Sequence, residues 1–395
     1  MKRIGALEKK YVSEVLSSEF RGSKSKSMVL QAEKLFAKEI GVDYAIGFVN
    51  GTSTLHIALE ALGIGVGDEV IVPPLTMSAT AFAVLHSNAT PVFADVDPLT
   101  WQISSQSIRS KISDKTKAII TVALYGGSPD YDAIKNIAPN IPIIEDNAEA
   151  FGTKYKKQNI GKFGVFSSYS FQSSKQLSAG EGGMLCTNSL ELADKARKLQ
   201  SLGYSAVGAK VQKIDKRIIQ APDYSRHEIL GWNYRMSELT AAVVKAQIER
   251  CDQLLAIRKE IGESFFELAE DSRGLLTTQK IYPNSTHSFW AAPVLLDINK
   301  VKWDDFRNKF LEFGGKGIYS AWKLSYLEPV FSNMNILKRE QFITKSNLEE
   351  IKNAQCPVAQ NLQPRILAFR TNEWTHIGRK TQLKALKKTI EHFNK

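Results

Sequence analysis

The stretch Ala118-Ile-Ile-Thr-Val-Ala-Leu124, followed by Ile141-Pro-Ile-Ile-Glu-Asp146, decides the fold class of this chain. Both runs are short and largely apolar, and a segment with helical spacing lies between them at residues 131–137. Such runs, alternating with helices, are typical of parallel strands that are buried on both faces. We therefore predict an α/β fold in which a mostly parallel sheet is sandwiched between helices.

The same alternation continues on both sides of this unit. Strands are predicted at 43–49, 69–73, 91–96, 163–170 and 183–188, and helices at 28–40, 55–62, 76–85, 104–112 and 190–202. Ligands bind at the carboxyl ends of strands in such sheets, so Asn50, Tyr125, Asp146 and the loop before Lys175 should meet there. Residues 203–230 are polar and basic without periodicity, and we interpret them as a long surface excursion.

The length of 395 residues exceeds a usual single core, so two domains are expected. Ser237 is a plausible cap for an alanine-rich helix that runs into a longer one ending near Leu268. Beyond it come a strand at 292–297, a helix at 301–313 and a lysine-rich amphipathic helix at 381–393. We predict a large domain over residues 1–250, including an N-terminal helical segment, and a smaller α+β C-terminal domain over 251–395.

Composition argues against several classes of protein. The chain is 43% hydrophobic and 24% charged, as in ordinary soluble proteins. Its cysteines, Cys186, Cys251 and Cys356, are far apart, which argues against a disulfide framework and a structural zinc site, and we expect no metal. No apolar run is long enough to span a membrane and the first residues do not form a signal peptide, so we expect a cytoplasmic protein. The net charge of +11 comes from scattered residues without a recognition motif, so no nucleic-acid partner is expected.

The stretch Tyr169-Ser-Phe-Gln-Ser-Ser-Lys175-Gln-Leu-Ser-Ala-Gly-Glu-Gly-Gly183 places one lysine among hydroxyls and before a glycine cluster. Lys175 has no carboxylate within one helical turn, and the glycines permit close approach of the backbone. We predict that Lys175 is the functional centre. Most lysines in such loops are ordinary exposed side chains, so a functional role for Lys175 needs support from other stretches of the sequence.

Two other segments carry chemistry. Asn50-Gly-Thr52-Ser53 joins a strand to a helix and forms an anion site from helix-start amides and hydroxyls, although N-capping by Thr52 or Ser53 explains it as well. Asp146 ends an apolar strand, where a buried carboxylate needs a cationic partner unless it caps the following turn. With a lysine about thirty positions later, a protonated pyridine nitrogen becomes a candidate partner for Asp146.

Taken together, these stretches resemble the DegT/DnrJ/EryC1/StrS family of aminotransferases, the sugar aminotransferase branch of the fold-type I pyridoxal phosphate (PLP) enzymes. The resemblance covers nearly the whole chain. Its motifs are Asn50-Gly-Thr-Ser-Thr-Leu, Gly67-Asp-Glu-Val-Ile-Val-Pro73, Pro91-Val-Phe-Ala-Asp-Val-Asp-Pro98, Ile144-Glu-Asp-Asn-Ala-Glu-Ala150, Ser170-Phe-x-x-x-Lys175 with Gly180-Glu-Gly-Gly183, and Gly231-x-Asn-Tyr-Arg-Met-Ser-Glu-Leu239. The set is specific because the motifs occur in this order and spacing.

The resemblance implies a role for each catalytic residue. Lys175 matches the lysine that holds PLP as a Schiff base and then moves the proton as general base and acid. Asp146 matches the acid that keeps the pyridine nitrogen protonated. Glu149 matches a position near the ring hydroxyl.

The resemblance also implies the remaining cofactor contacts. Thr52, Ser53 and Ser170 match phosphate ligands, and Asn233 matches a phosphate ligand from the neighbouring subunit. A homodimer whose active sites are completed across the interface is therefore expected. Met77 stands where the family usually has an aromatic residue stacked on the cofactor ring, and a thioether could cover that face instead.

The substrate-binding residues suggested by the resemblance are Tyr125, Arg235 and Tyr319. Tyr125 is either a pocket wall or a core aromatic, and Arg235 either reaches the cofactor region or forms a surface ion pair. Ala123 replaces the usual histidine of a His-Leu-Tyr-Gly turn. The C-terminal stretch that contains Tyr319 lacks the arginine-proline pattern of many nucleotide-sugar members, so the acceptor is less defined than the reaction.

The predicted function is transamination from glutamate or glutamine to a keto or aldehyde group of a sugar-like acceptor. That acceptor would be nucleotide-linked or phosphorylated and serve surface polysaccharide or secondary-metabolite biosynthesis. One alternative is a PLP-dependent sugar dehydratase, but that branch has a histidine in place of Lys175. Others are an aminotransferase acting on a cyclitol or small phosphorylated ketone, and a regulatory protein that keeps the fold.

Overall fold

The computed structural model describes residues 2–20, 27–209, 217 and 220–395. A seven-stranded sheet and a four-stranded sheet form the framework of these described ranges. The strands are, in chain order, β1 Tyr44–Phe48, β2 Glu69–Val72, β3 Thr90–Phe93, β4 Thr116–Val122, β5 Ile143–Asp146, β6 Lys154–Tyr155, β7 Gln158–Asn159, β8 Phe166–Ser170, β9 Gly183–Thr187, β10 Leu276–Thr278, β11 Ala291–Leu296, β12 Ile318–Ser320 and β13 Ile366–Arg370.

Helices precede, connect and follow these strands. They are α1 Ala6–Ser17, α2 Met28–Ile40, α3 Gly51–Ala61, α4 Ala79–His86, α5 Ser105–Lys111, α6 Tyr131–Ile137, α7 Leu190–Gln200, α8 Glu238–Glu249, α9 Cys251–Glu270, α10 Trp303–Glu312, α11 Pro329–Ser332, α12 Lys345–Lys352, α13 Pro357–Leu362 and α14 His376–Phe393. The predicted alternation of strands and helices over the first half of the chain is therefore confirmed.

The larger sheet has the strand order β1-β9-β8-β5-β4-β2-β3. Strand β9 runs antiparallel to both of its neighbours, whereas the other pairings are parallel. The prediction of a mostly parallel sheet is therefore correct. The carboxyl ends of β1, β2, β4, β5 and β8 consequently lie along one edge of this sheet.

Both faces of the larger sheet are apolar because successive side chains of a strand point to opposite sides. Ile120 and Ile144 pack into the cluster that contains residues of α3, α4 and α7, whereas their neighbours Ile119 and Ile143 pack against α5 and α6. Near β1 and β9, helices α2 and α8 cover the second face. Burial on both faces explains why the strands are nearly continuous apolar runs.

Several predicted boundaries differ from the structure. The strand predicted at 163–170 begins only at Phe166, because the N–H groups of Phe163 and Gly164 turn to donate to Glu145 Oε1, each at 2.7 Å. The helix predicted at 76–85 begins at Ala79. The final helix begins at His376, ahead of the predicted residue 381, because the Thr375 hydroxyl caps it.

Two predictions fall partly on residues outside the described ranges. In the predicted N-terminal helical segment, a polar break at 24–27 separates two helices; residues 21–26 are not described, and Ser27 caps α2. In the predicted surface excursion at 203–230, residues 210–216, 218 and 219 are not described. Tyr204 and His227 in that excursion form an antiparallel bridge.

The C-terminal part of the chain carries its own antiparallel sheet, β10-β11-β13-β12. Helices α9, α10 and α14 pack on it around a separate apolar cluster. Residues 321–362 instead pack on the larger sheet, where the Asp95 carboxylate accepts the N–H groups of Val358 and Ala359 at 2.8 and 2.9 Å. The division near residue 250 stays a prediction, and we propose that it lies at Arg250, between α8 and α9.

The described ranges were also searched for other features. Within them, no helix is both long enough and apolar enough to cross a membrane. Nor do the described residues contain a group of three or more His, Cys, Asp or Glu side chains that could hold a metal ion. Cys186, Cys251 and Cys356 are buried and are not joined by disulfides.

Candidate active site

The predicted site residues converge at the carboxyl edge of the larger sheet. Asp146 ends β5 and Ser170 ends the neighbouring strand β8, with Asp146 paired to Ser168 in the ladder. Asn50 follows β1 and starts α3, and Tyr125 follows β4. The sheet therefore brings together residues that are separated by as much as 120 positions in sequence, since β1 and β8 run in the same direction on either side of the antiparallel strand β9.

Lys175 lies in the loop after β8 and points at a carboxylate. Its Nζ donates to Glu149 Oε1 at 3.2 Å, and the two side chains are 14% and 6% exposed. The second Glu149 oxygen accepts the backbone N–H of Tyr125 at 3.0 Å. The sequence places no carboxylate within one helical turn of Lys175, and the structure supplies one from the loop after β5, because β5 and β8 are neighbours and their following loops meet.

Aromatic rings enclose the Lys175 side chain on another side. Lys175 Nζ lies 4.9 Å from the centroid of the Trp290 ring, a distance at which a cation is attracted to the ring face. The rings of Tyr125, Trp290 and Trp322 are stacked, with centroids 5.6 to 6.1 Å apart. The Lys175 amine therefore sits between a buried carboxylate and an aromatic wall.

Tyr125 is held in an unusual backbone conformation. Its φ of 62° lies in the left-handed region, which costs free energy for a side chain of this size and is often found at functional sites. Its hydroxyl is buried and has no hydrogen-bond partner among the described residues. Burial, aided by the nearby Glu149 charge, raises the pKa of this phenol far above its ordinary value, so the hydroxyl stays protonated.

Asp146 is buried but receives only neutral donors. Thr80 Oγ1 donates to Asp146 Oδ2 at 2.8 Å, and the N–H of Ala148 donates to Oδ1 at 3.2 Å. Burial raises the pKa of the Asp146 carboxyl, while these two donors and the charge of Lys175 lower it. Each carboxylate oxygen can still accept another hydrogen bond, so Asp146 can receive a cationic N–H.

Replacing Thr80 by valine should shift the pH dependence of Asp146 at nearly unchanged volume. The Thr80 hydroxyl stabilises the charged carboxylate, so its loss raises the pKa of Asp146 further. Ionised Asp146 then appears only at higher pH, and the acid limb of PLP binding, measured by fluorescence titration, moves to higher pH.

The stability of the cofactor-free Thr80→Val protein gives an independent readout. At pH 8, losing a hydrogen bond to a charged group should cost about 1.5–3 kcal/mol of unfolding free energy. The Thr80 hydroxyl stabilises mainly the charged form of Asp146, and burial raises the pKa at which the folded protein loses that form. The difference in unfolding free energy between wild type and Thr80→Val should therefore shrink as the pH falls through that pKa. Thr389→Val, which removes a buried helix hydroxyl far from the site, should give a pH-independent difference. An unshifted acid limb would show that Thr80 does not control Asp146.

The start of α3 forms a cradle of backbone amides beside Ser170. Asn50 Oδ1 accepts the N–H of Ser53 at 2.8 Å, so Asn50 caps the helix, and capping by Thr52 or Ser53 is not seen. A Cβ built on Gly51 would lie 3.1 Å from Ser170 Cβ, so the absence of a side chain at Gly51 keeps this space open. Ser53 is buried and donates its hydroxyl to the Asn50 carbonyl at 2.8 Å, while Thr52 is half-buried. Helix-start amides of this kind attract anions.

Four further predicted residues lie at the surface of the chain. Met77 is 53% exposed in the loop before α4. Asn233 and Arg235 are also exposed, with Asn233 bridging to Ser201 after α7 and Arg235 to Phe48 of β1. The exposed side chain of Tyr319 on β12 lines a cavity. The structure thus brings Tyr319 to the aromatic wall but leaves Asn233 and Arg235 uncovered within a single chain.

That cavity, of about 670 Å³, opens between the two sheets. Its lining includes the stacked rings of Tyr125, Trp290 and Trp322 together with two cationic side chains, Lys323 and Arg370. Arg370 is oriented by Asn372, whose Oδ1 accepts its Nε at 3.0 Å. The cavity therefore offers flat apolar walls and positive charge beside the Lys175 loop.

These observations can be tested against PLP, the cofactor that the sequence motifs imply. An anion cradle faces Ser170, the buried Asp146 carboxylate with neutral donors can hold a pyridinium N–H, and the Lys175 amine bonds a second buried carboxylate, Glu149. The buried, unbonded Tyr125 hydroxyl provides a further polar atom in this region. The residues present therefore fit a phosphorylated pyridine aldehyde.

Comparison with known proteins gives the same assignment. The DegT/DnrJ/EryC1/StrS aminotransferase family matches residues 2–368. A GDP-perosamine synthase of Escherichia coli O157:H7 is 39% identical over 290 residues, covering 73% of this chain and 74% of the relative. The crystal structure of an aminotransferase from Psychrobacter cryohalolentis superimposes with a TM-score of 0.87 at 30% identity, covering 99% and 98% of the two chains.

A third comparison concerns the fold alone. The structure of NtdA from Bacillus subtilis, with bound cofactor PMP, superimposes with a TM-score of 0.80 at 21% identity over 98% of this chain and 83% of the other. The fold and the family match define a PLP-dependent aminotransferase. The chain belongs to the DegT/DnrJ/EryC1/StrS aminotransferase family.

Sequence reasoning did not identify several residues that surround Lys175. Thr80 bonds Asp146, and the rings of Trp290 and Trp322 form the cavity wall. Arg258, from α9, donates to the backbone carbonyls of Ser174 and Lys175 at 2.8 and 2.9 Å. Thr80 could have been found from the sequence, because it lies at the start of the helix after the Gly67–Pro73 motif, and that helix begins at the same edge of the sheet. Arg258 had none, because it sits in an ordinary amphipathic helix.

Proposed function

We propose that this aminotransferase moves an amino group from glutamate or glutamine to the keto group of a sugar carried on a nucleoside diphosphate. The observation that carries the proposal is the buried Lys175–Glu149 pair beside Asp146, adjoining a large aromatic cavity with cationic residues. We propose that the enzyme acts in the cytoplasm and supplies an amino sugar for surface polysaccharide or secondary-metabolite synthesis. Deletion of the gene tests a role in surface polysaccharide synthesis. Sugar analysis of that polysaccharide should then show the loss of an amino sugar.

In this proposal, Lys175 performs two tasks. Its amine holds the cofactor covalently, and once released it moves a proton between the substrate α-carbon and the cofactor carbon. When bound, PLP supplies an aldehyde that takes up the amino group and a ring that accepts electrons. Glu149, 3.2 Å from Nζ, holds the free amine in place between these events.

The other site residues bind and orient. We propose that ionised Asp146 keeps the proton on the ring nitrogen, because a buried anion stabilises a neighbouring cation strongly. The amides at the start of α3, with Thr52, Ser53 and Ser170, receive the phosphate. Met77 is exposed in the β2–α4 loop, three residues before Thr80, and we propose that it covers the ring face.

The cavity supports a nucleotide-linked acceptor. Its volume of about 670 Å³ falls in the usual range for pockets that enclose drug-sized ligands and exceeds the need of an amino acid alone. Stacked rings favour contact with a base or a sugar face, and Arg370 with Lys323 can bind phosphate oxygens. The 39% identity to a GDP-perosamine synthase supports the same class of acceptor.

We also propose that two copies of this chain complete each site. Asn233 and Arg235 are exposed, and Arg235 bridges to Phe48 at the end of β1, the strand that leads into the α3 cradle. A partner copy that contributes Asn233 to the phosphate would explain why a polar motif residue faces outward. Tyr319 lines the cavity, and we propose that it contacts the acceptor from within the same chain.

Measuring each half-reaction by itself identifies the amino donor and the acceptor independently. Holoenzyme is mixed with glutamate or glutamine, and absorbance changes and the released oxo acid are measured. Aminated enzyme should form with at least one of the two. In the reverse direction, GDP-perosamine should aminate the holoenzyme at least about a hundredfold faster than free perosamine, because phosphate contacts contribute several kcal/mol of binding.

The outcomes distinguish the alternatives. Amination by glutamate or glutamine, with no preference for nucleotide-linked over free amino sugars, would place the acceptor among cyclitols or small phosphorylated ketones. Release of a ketone from a sugar nucleotide without amine incorporation would identify a dehydratase. Absence of amination by either donor would contradict the proposed transaminase activity at its first step.

A further inference from the structure

A buried arginine lies beneath the loop that carries Lys175. Arg258 of α9 is fully buried, and Nη2 donates to the carbonyl oxygens of Ser174 and Lys175 at 2.8 and 2.9 Å. Nη1 donates to the Trp290 carbonyl at 3.0 Å and to Thr371 Oγ1 at 3.1 Å. One guanidinium group therefore joins the Lys175 loop to the ends of β11 and β13.

A second arginine reaches the same loop from the N-terminal segment. Arg3 donates to the carbonyl oxygens of Ser173 and Lys175, so Lys175 O accepts from both guanidinium groups. The two guanidinium groups lie 5.6 and 5.8 Å from the Trp374 ring centroid. Arg3 is itself fixed, because its carbonyl accepts Gln247 Nε2 at 3.0 Å.

The charge balance around this pair is unusual. Neither Arg3 nor Arg258 forms an ion pair with a carboxylate in the described part of the chain, and the Nε atoms of both are buried without a hydrogen-bond partner. Burial, reinforced by the charge of Arg3, lowers the pKa of Arg258 to about 9. Burying a cation without an acid is costly, and the hydrogen bonds that compensate this cost go to the carbonyls of residues 173–175, to the Trp290 carbonyl and to the Thr371 hydroxyl.

The consequence for Lys175 is geometric. Its backbone carbonyl is held by two cations, while its side chain ends at Glu149 and over the Trp290 ring. Arg258 also binds the Trp290 carbonyl, and the Trp290 indole N–H donates to Ser174 Oγ at 3.4 Å. Arg258 thus holds both the backbone from which the Lys175 side chain projects and the backbone of Trp290, whose ring lies against the amine.

We propose that Arg258, assisted by Arg3, is a positioning residue that aims the Lys175 amine at the cofactor aldehyde. The proposal rests on the role of Lys175 given above. Neither arginine reacts: the Lys175 nitrogen forms the bond to the aldehyde carbon, and the aldehyde oxygen leaves as water. The arginines fix the peptide from which that nitrogen projects, so their loss slows attachment before it affects any later step.

Four variants test this role. Arg258→Met keeps volume and removes every donor, Arg258→Lys keeps one cation with a different shape, and Arg3→Met removes the second arginine. Arg197→Met is the matched control, because Arg197 is also buried and charged but binds Glu33, away from the loop. For each, we measure the thermal unfolding midpoint without cofactor and the rate constant at which borohydride-stable PLP attachment appears after mixing.

Arg258→Met should slow attachment about a hundredfold, the effect of a shift of about 1 Å in a reacting group. Arg258→Lys should fall between it and wild type, because an ammonium cannot reach both pairs of acceptors. Arg3→Met should slow attachment less than Arg258→Met, since Arg258 remains. Arg197→Met should lower the unfolding midpoint and leave the attachment rate unchanged.

A wild-type attachment rate in Arg258→Met, with a lowered unfolding midpoint, would reduce Arg258 to a structural residue and overturn the proposal. If Arg258→Met does not fold, Arg3→Met decides, because a wild-type rate in that variant contradicts the two-arginine arrangement. Failure of the wild-type chain itself to attach PLP at Lys175 would instead overturn the proposed function. The two failures are therefore distinguishable.

Discussion

Replacing Lys175 by alanine is expected to abolish amino transfer over multiple turnovers, lowering kcat/KM by roughly 10⁴-fold or more, because in the proposed mechanism one amine supplies both covalent attachment and proton transfer. In the structure its Nζ lies 3.2 Å from Glu149, and its charge lowers the pKa of both Glu149 and Asp146 against the raising effect of burial. The effect is measured as the rate of product formation from glutamate and the acceptor that the half-reaction experiments identify.

Two controls belong with this variant. Lys156→Ala removes an exposed lysine paired with Asp132 and should retain wild-type activity. Mixing Lys175→Ala with Asn233→Ala subunits should restore part of the activity, because in the proposed dimer a hybrid contains one site with both residues intact. Sustained turnover by Lys175→Ala alone contradicts the assigned role, and no recovery in the mixture contradicts sharing of Asn233.

Replacing Asp146 by asparagine should lower kcat about a thousandfold, the size expected for losing one preorganised electrostatic contact. The amide keeps the size of the side chain and can bond Thr80, but it has no charge with which to hold a ring proton. Binding of PLP should weaken as well. Both quantities follow from a kinetic assay and a fluorescence titration on the same preparation.

Glu145→Gln is the matched control for Asp146→Asn. Glu145 is the preceding residue of β5, is equally buried, and points to the opposite face of the sheet, where it accepts the N–H groups of Gly161 and Gly164. Its loss should reduce stability and leave PLP binding intact. Equal effects of the two substitutions on PLP binding would mean that Asp146 acts through the fold rather than through a charge at the site.

The sequence predicted the fold well because burial determined the residue types. Strands β4 and β5 are apolar on both faces, and their runs were recognisable without any partner. Strand ends were less predictable: β4 was expected to reach Leu124 but ends at Val122, opposite Asp146 in the ladder. Pairing with a neighbouring strand sets that end, and the left-handed turn at Tyr125 follows it.

The site residues that belong to sequence motifs could be predicted, whereas contacts that depend on how distant segments pack could not. Lys175, Asp146 and Ser170 come from motifs, and the structure places them at one sheet edge. The pairing of Lys175 with Glu149 was missed because the two residues are 26 positions apart and only the alignment of β5 with β8 brings them together. The arginine contacts span 172 and 83 positions to Lys175, beyond any local pattern.

The most direct test of the central claim is to find where the cofactor attaches. The protein is incubated with PLP, reduced with borohydride and digested, and the peptides are sequenced by mass spectrometry. A reduced cofactor on the peptide that contains Lys175, absent after prior conversion by glutamate or glutamine, is the result predicted here. Attachment at another lysine, such as Lys323 of the adjoining cavity, or no attachment at all, would contradict the role proposed for Lys175.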